Sequence, residues 1–206
     1  MDFEGAKTFI TGKLRNELNP GYTYHNADHT MDVYNASARL IGMEGVPDEE
    51  GKLIGTAALF HDSGMLSTYA DHEAASVSLA RSILPEFGFS DLQLEMIGRL
   101  IMCTRLPQRA KTKAEQIICD ADLDYLGRDD FFIHSFELQL EWNRFGIHGT
   151  NLEGWLEIQI KFLSEHSYFT KSAAGLRNKK KSENLNEILT LWQQKNPKKP
   201  STTTLS

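Results

Sequence analysis

Cysteine is scarce in this chain of 206 residues: Cys103 and Cys119 are the only two. Two thiols cannot build a disulfide framework, which points to a reducing, cytoplasmic setting. Long apolar runs are missing as well. Each hydrophobic stretch is short and interrupted by charge, so no membrane span is expected. The opening residues M-D-F-E-G-A-K lack the basic-then-apolar order of a signal peptide. Neither a Walker loop nor a G-x-G-x-x-G turn is present, so ATP-driven chemistry and a dinucleotide fold lack support. Excess positive charge is absent too. A net charge of −6 argues against a general polyanion binder, and nucleic acid is not an expected partner. An anionic small substrate stays open, because a bound metal inverts the local field whatever the net charge.

What the chain does have is apolar residues at helical spacing. With 40% hydrophobic residues it can bury a real core, most simply as one domain over residues 1–195. Phe3, Ala6, Ile10, Leu14 and Leu18 recur every three or four residues until Asn19-Pro20-Gly21 stops them. The same period predicts helices over residues 26–42, 52–61 and 71–84, another around Leu94, Ile97 and Ile101, then 115–126 and 131–145. Two further apolar stripes follow, Trp155–Ile158–Phe162–Leu163 and Leu185–Ile188–Leu189–Trp192. Residues 105–113, with one proline and four basic side chains, read as a solvated loop. No stretch alternates with period two for long enough to be a strand, and no internal repeat is evident. The fold class is all-α, a multi-helix bundle, with residues 196–206 expected to be a disordered tail.

Seven histidines are present, and His25 and His29 stand four apart in Y-H-N-A-D-H-T-M-D-V. If Asn26 or its neighbour opens a helix, both can face one side of its first turn. Taken alone, the pair would serve equally as a polar helix start. His61-Asp62 follows the apolar run A-A-L-F directly, where an unpartnered carboxylate would cost several kcal/mol. Asp62 could instead cap the turn at Ser63-Gly64, with His61 on a carbonyl. In I-I-C-D-A-D-L-D-Y-L-G, Asp120 and Asp124 share a helical face, and Asp122 falls on the apolar side near Ile118 and Leu126. An exposed acidic turn is the plainer alternative there. Together, two imidazoles (His29, His61) and two carboxylates (Asp62, Asp122) from three helices would hold one divalent metal. Manganese, iron and zinc suit such a set, and magnesium is admitted. Four protein ligands leave positions for water and substrate.

The ordered set H…HD…D, at His29, His61-Asp62 and Asp122, resembles the HD-domain metal-dependent phosphohydrolases, over roughly residues 22–127. Y-H-N-x-x-H-x-x-D-V is also similar to a pattern of the cyclic nucleotide phosphodiesterases of the same superfamily. The resemblance implies an all-helical HD fold, one or two divalent metals and hydrolysis of phosphate esters. It implies His25 as the acid that protonates the leaving oxygen, and Asp62 as a carboxylate that bridges metals or orients the attacking water. Binuclear relatives supply further histidines. Here His72 stands where the first could be, whereas the later position offers Cys103 and Thr104. One tightly held metal is therefore expected, with a second held only loosely through Asp62 and waters. His72 is kept as a candidate substrate contact beside its plainer reading as a surface residue at a helix start. His72-Glu73 also opens like a zinc-protease H-E-x-x-H, but Ser76 closes it, so that reading fails.

Residues 171–200 hold eight basic side chains against two acidic ones, which reads mainly as a solvated helix start and a soluble tail. His166, Tyr168 and Phe169 could floor a substrate pocket, though core is the simpler assignment. Three function classes remain. They are a hydrolase on a nucleotide or related small phosphate ester, a di-iron oxygenase resembling myo-inositol oxygenase, and a non-catalytic nucleotide sensor. The oxygenase needs a histidine where Thr104 stands, and the intact ligand set weighs against a sensor.

Overall fold

The computed structural model describes residues 1–196. Nine α-helices are assigned among them: α1 (Phe3–Glu17), α2 (Ala27–Met43), α3 (Asp48–Phe60), α4 (His72–Ile83), α5 (Asp91–Met102), α6 (Lys113–Asp122), α7 (Phe131–Phe145), α8 (Leu152–Glu165) and α9 (Lys171–Lys195). Short 3-10 turns at Ser63–Leu66, Leu84–Phe87 and Asp124–Gly127 join some of them. No described residue lies in a strand, and no described helix is long and apolar enough to cross a membrane. Of the expected tail, residues 197–206 lie outside the described residues.

Two apolar clusters carry the fold. The larger gathers Ile10, Leu14, Leu40, Ile54, Phe60, Ile97, Ile101 and Ile117 from α1, α2, α3, α5 and α6. The smaller joins Tyr24, Leu123, Leu126 and Phe131 to Leu156, Leu163, Ile188 and Trp192 from the C-terminal helices. Tyr24 and Leu123 of the smaller cluster lie within a few residues of Ala27 and Ala121 of the larger one, so the histidines and aspartates fall at the seam between them.

Three expected boundaries move. Helix α3 starts at Asp48 rather than residue 52, because Asp48, Glu49 and Glu50 occupy its first turn, where negative charge complements the helix dipole. Helix α6 starts at Lys113, where Thr112 and Glu115 form a reciprocal capping box. It ends at Asp122 rather than 126, since Leu123 leaves helical geometry and Asp124 turns inward to Arg39 and Arg177. Gly127 completes that turn: a Cβ there would stand 2.5 Å from the carbonyl oxygen of Arg177, so only glycine lets α9 lie this close. The basic run of residues 177–181 is not a loose helix start. It lies inside α9, where Arg177 binds Asp124, Lys180 pairs with Asp129 and Lys181 donates to the His166 carbonyl.

Candidate metal centre

Asn26 caps α2, its side-chain oxygen accepting from the backbone N–H of Asp28 (2.9 Å) and of His29 (3.0 Å). His29 is therefore fixed in the first helical turn, whereas His25 stands just before the helix rather than in that turn. Helix α3 delivers His61 at its end, where the ring lies 2.8 Å from the Ala58 carbonyl through Nδ1. Nδ1 then carries the proton, and Nε2 presents its lone pair to the seam. The two Nε2 atoms of His29 and His61 are 3.3 Å apart.

The carboxylates complete the ring. Asp62 Oδ2 lies 3.3 Å from His29 Nε2 and 3.1 Å from His61 Nε2. Asp122 Oδ1 lies 3.7 and 3.5 Å from the same two nitrogens. Its Oδ2 accepts from Gln108 Nε2 at 3.0 Å. Ligands about 2.0–2.2 Å from one ion stand roughly 3–3.5 Å from each other, so these separations fit a shared cation. His29, His61 and Asp122 each offer a ligand atom, all within 4.8 Å of one another, a group of three that could hold an ion. Electrostatics agree with the geometry. Burial works against charge on every member, yet the carboxylates raise His29 and raise His61 well above the usual imidazole range. In turn the imidazoles hold Asp122 below, and Asp62 well below, the ordinary carboxyl range.

Asp62 has a second neighbour. Its Oδ1 lies 3.3 Å from His72 Nε2, while His72 Nδ1 sits 3.0 Å from the Tyr69 carbonyl. Burial would lower His72, but the hydrogen bond and charge of Asp62 raise it to about 9. Gly64 permits this approach: a Cβ there would stand 2.0 Å from the His72 carbonyl oxygen. The plain surface reading of His72 does not hold, because it faces the cluster. Thr104, where a further histidine would be wanted, is buried and donates its hydroxyl to the Ile101 carbonyl.

One partner escaped the sequence reading. Glu141 of α7, its side chain fully buried, binds His25 Nδ1 through Oε1 in a short contact. The same oxygen accepts from the Tyr69 hydroxyl at 3.1 Å, and Oε2 accepts from the Tyr24 and His25 backbone N–H groups, both at 3.0 Å. Burial would raise the Glu141 carboxyl, but these His25 contacts bring it below its usual value. The available signal was its place three residues after Leu138 and four before Phe145, on the apolar side of α7.

A pocket of about 480 Å³ opens over the cluster, of a size ordinary for small-molecule sites. His25, His29, Asp62, His72 and Asp122 line one side; Leu138, Trp142, Ile158, Gln159 and Phe162 line the other. The side-chain carbonyl oxygen of Gln159 is buried there with no hydrogen-bond partner among the described residues. His166, Tyr168 and Phe169 do not line this pocket. Tyr168 is core, its hydroxyl donating to the Leu123 carbonyl.

Comparison with known proteins agrees. Residues 26–124 match the family model of the HD domain. Among solved structures, the chain is similar to a predicted HD superfamily hydrolase from an uncultured Thermotogales bacterium. That likeness has a TM-score of 0.58 and 17% identity, covering 94% of this chain and 91% of the other. No curated protein gives a significant match. The segment that matches the HD-domain model is the one that carries His29, His61, Asp62 and Asp122, and the chain has an all-helical HD fold.

Proposed function

We propose that this protein is a metal-dependent phosphohydrolase acting in the cytoplasm on a phosphate ester of a nucleotide or related small metabolite. The observation that carries the reading is the ring of two imidazole nitrogens and two carboxylates at the base of a pocket. His29, His61, Asp62 and Asp122 would hold one divalent ion. Such an ion, when bound, supplies a positive charge that polarises water and a phosphoryl oxygen near neutral pH.

The remaining steps belong to the side chains. Asp62 orients the attacking water. The water oxygen bonds to phosphorus as the bond to the leaving oxygen breaks, and His25 gives that oxygen a proton. In the form that donates, His25 carries a proton on both ring nitrogens: Glu141 accepts the Nδ1–H, which leaves the Nε2–H for the leaving oxygen. The apolar wall of Trp142, Ile158 and Phe162 suits a flat ring, and the unpartnered oxygen of Gln159 suits an N–H on it. His72 would contact substrate or, with the free edge of Asp62, hold a second ion loosely.

The test is metal content per chain in protein purified without a metal-binding tag, beside His61→Ala. About one manganese, iron or zinc per chain, lost in the variant, together with hydrolysis of a chromogenic phosphate ester abolished by chelation, is the expected result. Two irons per chain would move the oxygenase ahead. No metal after reloading with each candidate ion would overturn the mechanism.

A further inference from the structure

The chain is acidic overall, yet a second cleft beside the metal pocket has the opposite bias. It measures about 770 Å³ and lies between α4, α5 and the loop before α6. Arg81, Arg99, Arg105, Arg109 and Lys111 line it, against Glu95 and Glu115. Glu115 is engaged in capping, accepting from the backbone N–H groups of Lys111 and Thr112. Arg105 pairs with Asp71 at the lip.

The other four cations, all exposed, form no ion pair or side-chain hydrogen bond among the described residues. Arg81 and Arg99 stand in the last turns of α4 and α5, where a cation complements the helix end without any ligand. Arg109 and Lys111 have no such reason; they sit on the loop.

Arg105 and Leu106 line both this cleft and the metal pocket. One ligand can therefore run from one to the other over these two side chains. The floor is apolar, built from Val77, Gly98, Met102 and Pro107, and the cations stand around it. A bare chain of phosphates would leave that floor facing charge. A nucleotide chain alternates the two, with phosphates for the cations and nucleosides for the floor and the guanidinium planes.

We propose that the cleft binds the downstream nucleotides of a short single-stranded oligonucleotide whose scissile phosphodiester reaches the metal pocket. This rests on the phosphohydrolase reading and extends its substrate beyond a single nucleotide. The net charge of the chain does not oppose it, because recognition would be local to one cleft. Hydrolysis there adds water across the P–O bond, the hydroxyl staying on phosphorus and the proton going to the leaving oxygen.

The experiment uses the full chain and a 5′-fluorescein thymidine pentanucleotide. Binding is read by anisotropy with EDTA present, across a salt series, for wild type and R99A/R109A/K111A. None of these three residues lines the metal pocket. The triple variant is expected to bind at least about tenfold more weakly, with a salt slope shallower by about 2, at roughly 0.7 per phosphate contact on a single strand. With metal restored, its kcat/KM on the pentanucleotide falls, while cleavage of bis(p-nitrophenyl) phosphate, too short to reach the cleft, stays within about twofold. A wild type that cleaves neither compound overturns the phosphohydrolase reading. A wild type that cleaves the small diester while the triple variant matches it on the pentanucleotide overturns the cleft. Competition by tripolyphosphate as strong as by unlabelled pentanucleotide would reduce the cleft to a site for charge alone and overturn the oligonucleotide assignment.

Discussion

His25 shows how much a single residue depends on distant ones. It precedes α2, lacks helical hydrogen bonds to hold it, and is fixed instead by Glu141, which is 116 positions away along the chain. His25→Ala is expected to lower kcat by about two to four orders of magnitude, the usual contribution of a proton donor, with metal content unchanged. Glu141→Gln, which removes the charge but keeps the shape, should lower kcat with little change in KM and alter the pH profile. Steady-state kinetics and elemental analysis on both variants check this. That these residues could meet was legible because helix geometry ties their places to short spacings: His29 to the Asn26 cap, Asp62 to the end of an apolar run. Glu141 and Gln159 were not legible. Each is a polar residue in an ordinary helix, and only tertiary packing shows which way it faces. Asp124 was read as sharing a helical face with Asp120. In the fold the two part company, Asp120 accepting from Phe169 and Thr170, Asp124 from the two arginines.

At the scale of elements, helix existence followed from period, while the ends followed from capping. Five of the seven interior helices, α2, α4, α5, α7 and α8, lay close to where spacing put them. The starts of α3 and α6 were missed because acids and a capping box extended them ahead of the first apolar residue of each pattern. Helix α9 is the exception in kind. Its first half carries few apolar residues, so the pattern alone suggested only its second half. What holds the first half is polar docking: Arg177 makes two 2.8 Å bonds to Asp124, and Asn184 donates to the carbonyls of Leu126 and Arg128, both at 3.0 Å. The side chain of Asp124 is only 4% exposed, whereas that of Arg39 is 40% exposed. Asp124→Ala should therefore cost about 3 kcal/mol, the lower end for breaking a buried ion pair, since Arg39 stays in water. Urea unfolding followed by circular dichroism measures it. Wild-type stability in the variant would show that α9 is held by its apolar contacts alone.

For the whole molecule, acid should act through His166 as well as through the metal centre. Its Nε2 is buried without a partner among the described residues, and burial together with the charge of Lys181 holds the imidazole down at about 4. The unfolded chain takes up that proton near the ordinary 6.5, the folded chain only near 4. This contribution to stability is therefore present above pH 6.5 and is lost as pH falls toward 4. Urea midpoints across that range should fall in wild type, and His166→Phe should remove part of the slope; an unchanged slope would exclude His166 as a source. The measurement belongs on metal-free protein, so that ligand protonation does not add a second wave.

The pocket is assembled from two parts of the chain with different duties. His25, His29, Asp62 and Asp122 all come before residue 124, whereas Leu138, Trp142, Ile158, Gln159 and Phe162 face them from α7 and α8. A lineage can therefore change what it accepts by drift in those two helices while the reacting centre stays untouched. Glu141 is a position in the second part where such drift is not free, because His25 of the first part leans on it.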